Sequence, residues 1–362
     1  MLKCNGKISA RQCFIMFIIL TLSPGIRIFP TECSDFAGKA AWLSPVISAI
    51  PLVVLYLILD GFFRKKNIKN LSDAFTAALG TPLSKAVLTL YLMHYFLLFC
   101  IYIRYYSARF LSTIYTDADI RFFIITILAV AYIAARGKIE AIFRFSEITF
   151  LFFTLILFTL FAFLMPEVKL ANIYPVTFDD TFPVMRASLV ISAIWGYMLL
   201  PFFLGENIGD KENIKKYGKQ STIYIVFITV CLMVTVVGIL SHTVAQRMSY
   251  AFFAAVKLIT IIESYDRFEP IVLAVWVFAD FIIITFFALI IMNIIKNLFS
   301  LSETKNLATP VMSLGYIGSR FLTSNIFELQ VFSVEFALYA NLILMYLIPV
   351  LTFLIGKIRK KF

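Results

Sequence analysis

ISARQCFIMFIILTLSPGIRIFP, residues 8–30, is apolar enough to enter a bilayer, yet its second half carries Ser23-Pro24-Gly25 followed closely by Arg27. Proline removes a backbone donor and clashes with the turn before it, and glycine weakens a helix further. Hydrocarbon tolerates open backbone only where it faces protein or a water-filled cavity. The stretch therefore reads as a membrane helix broken near mid-depth, and the break is a candidate binding site. A second interrupted segment, Trp195-Gly196-Tyr197-Met198-Leu199-Leu200-Pro201, lies in the second half of the chain. Interrupted helices at matching places in two halves point to an inverted-repeat transporter site.

Working outward, the 362 residues are 61% hydrophobic with a mean hydropathy of +0.92. Soluble domains average about 45–50% apolar residues, so this is a polytopic, all-α membrane protein. Ten apolar segments are expected to span: 9–30, 40–63, 84–112, 120–136, 140–165, 184–205, 220–242, 268–298, 308–325 and 331–356. The outer loop 166–183 divides them into two five-helix repeats, about 8–165 and 184–357, within one transmembrane domain over 1–362. Residues 251–262 are too short to span and read as a re-entrant or interfacial helix. With both termini in the cytoplasm, most Lys and Arg fall on the inner side, among them Arg64-Lys65-Lys66 and Lys357-Arg359-Lys360-Lys361. The net charge of +11 is then a topology signal, with anionic membrane lipid as a secondary partner and no nucleic acid implied. The N-terminal apolar run lacks an Ala-x-Ala-like cleavage site and is expected to stay as the first helix.

An unwound first helix would offer N–H groups to a carboxylate and carbonyls to an ammonium or a cation, which suits a zwitterion. Ser23 and Gly25 lie in that break, and Gly25 would let a ligand approach the backbone. Arg27 could hold a carboxylate bidentately, or could snorkel to the outer interface. In the sixth span, Gly196 and Pro201 flank Met198 and Leu199, which would wall a pocket for a small aliphatic group. On the third span, Tyr91, Tyr95 and Phe99 recur one turn apart and share a face. His94 sits near mid-depth beside them. Asp280, near the centre of the eighth span, should be protonated or paired with a cation. It is either a proton or sodium site, with Thr285 nearby in sequence, or a structural pair with an arginine from another helix. Asp266, Arg267 and Glu269 read as an interfacial ion-pair cluster.

Enzyme signals are poor. Two histidines are present, and HExxH, GxSxG and Gly-rich phosphate loops are absent. The five cysteines form no CxxC or other metal spacing. Neither a catalytic centre nor a cofactor is expected.

Several stretches together resemble a known family. They are Ile8-Ser9 with Gln12, Gly25 to Pro30, Trp42-Leu43-Ser44, Tyr132 to Gly137 with Glu140, Arg144 and Glu147, and Asp266-Arg267-Phe268-Glu269 leading to Trp276. Over nearly its whole length the chain resembles the B subunits of nutrient germinant receptors of endospore-forming bacteria. These spore-germination permeases belong to the amino acid–polyamine–organocation transporter superfamily. The resemblance implies a LeuT-like 5+5 fold with helices 1 and 6 unwound around a germinant site, in the spore inner membrane or the cell membrane. It also implies an A subunit, membrane-bound with a large cytoplasmic domain, and a C subunit lipoprotein as partners. Carried over by position, it marks Gly25, Tyr95, Phe99 and Leu199. Met198 stands where many members have an acidic residue. A self-sufficient amino acid permease coupled to protons or sodium, with Asp280 as the ion-linked residue, is the alternative.

Overall fold

The first helix starts on a capping box. The Ser9 hydroxyl accepts the Gln12 N–H at 3.2 Å, and Gln12 Oε1 accepts the Ser9 N–H at 2.9 Å. Together they satisfy two orphan donors of the first turn. From there α1 runs Ala10–Ala37 and stops at Gly38, whose φ of 54° suits a residue without a Cβ. The computed structural model describes residues 7–64, 67–113, 118–258, 269–323 and 325–361. Asp266-Arg267-Phe268 of the resemblance, the side chain of Glu269 and residues 259–262 of the expected interfacial helix lie outside the described set.

The expected break in α1 is not there. The helix is continuous through Pro24 and Pro30. An interior proline costs about 3 kcal/mol, but Cys13 to Thr31 is buried on every side of the helix. Packing on all faces outweighs one lost hydrogen bond. At the turn before Pro24, the Thr21 hydroxyl donates to the Phe17 and Ile18 carbonyls at 2.9 and 3.0 Å.

The second expected interruption is present. α7 (Thr181–Trp195) changes at Gly196 into a 3₁₀ segment, Gly196–Asn207. Runs beyond three or four residues are uncommon for 3₁₀ geometry, and this one has 12. Two features explain the change. A Cβ at Gly196 would stand 2.5 Å from Met345 Cβ, so only glycine permits this approach. Pro201 then removes the donor that an α-helix would need. Leu204 leaves helical geometry altogether, at φ −94° and ψ 20°.

The other elements follow the apolar segments. They are α2 (Ser44–Phe63), α3 (Leu71–Leu79), α4 (Thr81–Thr113), α5 (Ile120–Ala135), α6 (Ile139–Leu164) and α8 (Ile214–Leu240). The short α9 (His242–Ala245) and α10 (Ala251–Val256) precede α11 (Glu269–Phe299) and α12 (Ala308–Phe321). The last apolar segment holds α13 (Ile326–Phe332), α14 (Leu338–Leu342) and α15 (Ile348–Ile358), joined by π-helical turns at Ser333–Ala337 and Ile343–Leu347. Among the described residues seven helical runs are long and apolar enough to cross a membrane, one of them the continuous stretch Ala10–Phe63 that contains both α1 and α2.

Burial sorts these helices. The most apolar window of the α7–3₁₀ run is 94% buried and that of α11 is 78%, against 33% for the α6 run. The first two are therefore central and the third is peripheral. α1 packs against α6, α7, α8 and α11, while α4 packs against α11, α5 and α12. Around the outside, Ile50, Met93, Ile133, Leu151 and Leu155 are exposed. An apolar belt of that kind is stable only in hydrocarbon.

Candidate functional site

α1 carries Ser23 and Arg27 one turn apart, and α11 carries Trp276 and Asp280 at the same spacing. Both pairs therefore present a common face, and the two faces meet. The Ser23 hydroxyl donates to Asp280 Oδ1 at 2.8 Å. The Trp276 indole N–H lies 2.9 Å from Ser23 Oγ and 3.2 Å from its carbonyl. α4 supplies the third side: Arg109 Nη1 donates to Asp280 Oδ2 at 2.7 Å. Its guanidinium carbon lies 4.1 Å from the centre of the Trp276 ring. Both members of this ion pair are about 95% buried. Of the two readings open for Asp280, the structure contains the pair with an arginine from another helix.

Arg27 is also buried, with its guanidinium carbon 3.3 Å from the centre of the Tyr105 ring. Tyr105 is held in place by its hydroxyl, which donates to Leu329 O at 3.2 Å and meets Ser333 Oγ at 3.1 Å. Ser333 opens a π-helical turn, a feature common at functional sites. Among the described residues no carboxylate forms an ion pair with Arg27. Asp280's two oxygens are taken by Ser23 and Arg109, and Glu32, further along α1, acts on Arg27 electrostatically without forming an ion pair with it. A buried cation costs several kcal/mol, and an aromatic face returns about 2 kcal/mol.

Towards the centre of the bundle the site is walled by aromatic rings. The Tyr102 and Tyr197 hydroxyls are 2.7 Å apart, which ties α4 to the 3₁₀ segment. Phe287 stacks on Tyr102 and meets Tyr197 and Tyr95 edge to face. Tyr91 and Tyr95 pack 5.5 Å apart on the α4 face expected for them. The Tyr91 hydroxyl donates to the Leu344 carbonyl, and that of Tyr95 to Met345 Sδ at 3.6 Å. Leu344 and Met345 belong to the second π-helical turn. His94 Nε2 pairs with Asn341 Oδ1 at 2.6 Å, and the Asn341 amide also faces Tyr197.

The residues singled out in the sequence thus fall into groups. Ser23, Arg27 and Asp280 come together. Tyr95 and His94 line the aromatic wall. Phe99 packs against Gly315, in contact with the place a Cβ there would fill. Gly196 lies under Met345, and Met198 and Leu199 are fully buried beside it. Gly25 turns away from Ser23 and Arg27, and its missing Cβ makes room for the Phe29 ring. The Thr285 hydroxyl is buried and, among the described residues, has no hydrogen-bond partner.

Arg109, Tyr102, Tyr105 and Asn341 were not singled out by the sequence. Tyr102, Tyr105 and Arg109 do recur at i, i+3 and i+7, one face of α4. Arg109 reads as interfacial because it lies near the end of its span.

Two cavities frame the site. An apolar void of about 20 Å³ lies beside Trp276, lined also by Ile26, Leu160 and Phe252. That is room for about one water, so a larger guest has to displace side chains. At the end of the bundle bearing Lys7, a chamber of about 940 Å³ is lined by Phe63, Lys69, Glu206 and Lys211 among others. Phe63, one of its lining residues, packs against the Phe202 ring, which also meets Phe14.

A family model described as "Spore germination protein" matches residues 7–326. The chain belongs to the spore germination protein family. Two relatives come from Bacillus subtilis (strain 168). Spore germination protein KB is 22% identical over 86% of this chain and 84% of its own length. Putative spore germination protein YfkT is 22% identical over 98% of both chains. The matched region contains α1, α4, the α7–3₁₀ run and α11, so every helix that supplies Ser23, Arg27, Arg109 and Asp280 lies within the family's common part.

Proposed function

We propose that this spore germination family member is the germinant-sensing subunit of a nutrient receptor. It binds a small carboxylate-bearing nutrient, an amino acid by class, between α1, α4, the 3₁₀ segment and α11. The observation that carries this reading is Arg27, a buried cation on the Tyr105 ring without an ion-pair partner among the described residues. A ligand carboxylate would give that guanidinium a bidentate ion-pair partner. Tyr102, Tyr197 and Phe287 supply apolar surface for the rest of the molecule, and Ser23 and Gly196 border it.

In this reading the chain is a ten-span 5+5 inverted repeat with both termini cytoplasmic. Ala10–Phe63 crosses twice, turning at the 3₁₀ segment Gly38–Leu43, and the shorter α5 and α12 complete the count with α13–α15. The sixth span keeps its interruption. The first offers side chains of an intact helix in place of open backbone. Ligand binding shifts a two-state scaffold, and an A subunit and a C subunit lipoprotein read the shift. The test is germination of spores carrying Arg27→Gln or Arg27→Lys, with protein levels checked by immunoblot. Loss of the amino acid response in Arg27→Gln at normal protein level supports the reading, and an unchanged response refutes it.

One observation favours a second reading, an ion-coupled amino acid permease. The chamber at the Lys7 end stops short of the central site, as in a transporter closed on the other side. Reconstituted protein would then accumulate labelled amino acid under a proton or sodium gradient, and no accumulation would exclude it.

A further inference from the structure

Asp280, Trp276 and Ser23 form three sides of a box that would suit a positive charge. The carboxylate supplies the counter-charge and the indole face supplies the quadrupole that attracts a cation. The box does not need α4 for its assembly. Trp276 donates to Ser23 Oγ and sits at 3.2 Å from its carbonyl, and Ser23 donates to Asp280, so α1 and α11 hold it between them. Tyr250 closes another side, edge-on to Trp276 at 6.3 Å. The cation inside is the chain's own: the Arg109 guanidinium, 2.7 Å from Asp280 Oδ2 and 4.1 Å over the indole.

We propose that this box is a binding subsite for a primary organic ammonium group, which Arg109 occupies from within when no ligand is bound. Arg109 enters from the far end of α4, four residues before that helix stops at Thr113. Arg109 supplies none of the bonds that join the walls: Ser23–Asp280 and Trp276–Ser23 link α1 to α11 directly. The occupant is organic rather than metallic. A hard metal ion asks for six or more oxygens, while one carboxylate beside an indole face is the chemistry that selects a soft, partly apolar cation. Among the described residues no group of three or more His, Cys, Asp or Glu could hold a metal.

The subsite adds to the nutrient pocket proposed above. Ser23 and Arg27 are one helical turn, ~6 Å, apart. A zwitterion with its carboxylate on Arg27 would carry its ammonium towards Asp280, in competition with Arg109. The inference rests on that pocket only for this geometry, and it stands or falls on a simpler probe.

The probe is n-propylammonium chloride, which has no carboxylate, titrated into the full-length protein in detergent micelles against matched sodium chloride. Melting temperature reads binding by mass action. Removing the internal competitor in Arg109→Gln is expected to tighten apparent propylammonium binding about tenfold or more over the parent. Arg109→Gln/Asp280→Asn is expected to abolish it. If Arg109→Gln does not accumulate as folded protein, Arg109→Lys takes its place. Lysine keeps the charge but loses the planar stack on Trp276, so displacement becomes easier and apparent affinity rises. Equal affinity in the parent and the Arg109 variant overturns the proposal, as does binding that survives Asp280→Asn. Because the probe never engages Arg27, this test can fail while the carboxylate pocket stands, and the reverse also holds.

Discussion

The Ser23 hydroxyl donates to Asp280 Oδ1 at 2.8 Å, joining α1 to α11 in the centre of the bundle. The other carboxylate oxygen is held by Arg109 of α4 at 2.7 Å. One buried carboxylate thus fastens three helices.

Asp280→Asn should be strongly destabilising. Removing one partner of a buried ion pair strands the other, at about 3–5 kcal/mol. Adding Arg109→Gln removes the stranded charge and should recover much of the loss. A double-mutant cycle on melting temperature in detergent reads the coupling. Additive effects would show that the two side chains do not interact.

Gly196→Ala should disturb the switch from α7 to 3₁₀ geometry, because its Cβ would stand 2.5 Å from Met345 Cβ. Overpacking a tight core typically costs about 1–3 kcal/mol. Pairing it with Met345→Ala opens space and should restore part of the melting temperature. A neutral Gly196→Ala would mean that helix separation at this point is not fixed by glycine.

Tyr102→Phe and Tyr197→Phe should each lower stability by about 1–3 kcal/mol, since each leaves a buried hydroxyl without its partner. The double variant should cost little more than either single one, because both polar groups are then gone. Thermal melts of the three variants decide this, and strict additivity would contradict a direct hydroxyl pair.

Asp210→Ala should loosen the start of α1. Asp210 Oδ1 accepts the Ala10 N–H at 2.6 Å, beside the backbone pairing of Ile8 with Asn207 and Gly209. Losing a cap of this kind costs about 1 kcal/mol. Faster hydrogen exchange at residues 8–12, with α4 and α11 unchanged, is the expected signature.

These relationships explain what the sequence could carry. The helical character of the apolar segments and the interruption at Gly196–Pro201 are local signals, and the 3₁₀ segment begins at the glycine where the pattern put it. Pro24-Gly25 gives an equally strong local signal for a break, and the helix runs through it because α1 is buried on all faces. That burial is a tertiary fact which no local pattern contains. Asp280 was legible because a carboxylate is costly at mid-membrane and so demands a partner, whereas Ser23 and Arg27 were reached through an expected break that the continuous helix does not have. Arg109 was not, since a charge near a helix end is ordinary at an interface. Only the packing of α4 on α11 shows that this end folds inward. The π-helical turns that hold Tyr91 and Tyr105 leave no mark in residues 333–347 that periodicity would detect.

The central claim is that Arg27 binds a ligand carboxylate, and masking that group on the ligand tests it most directly. Spores carrying the native chain are challenged with the standard amino acids and with the corresponding methyl esters. The account predicts germination with one or more free amino acids and none with their esters, and an Arg27→Gln chain that answers to neither. Equal germination with an amino acid and its methyl ester would contradict it.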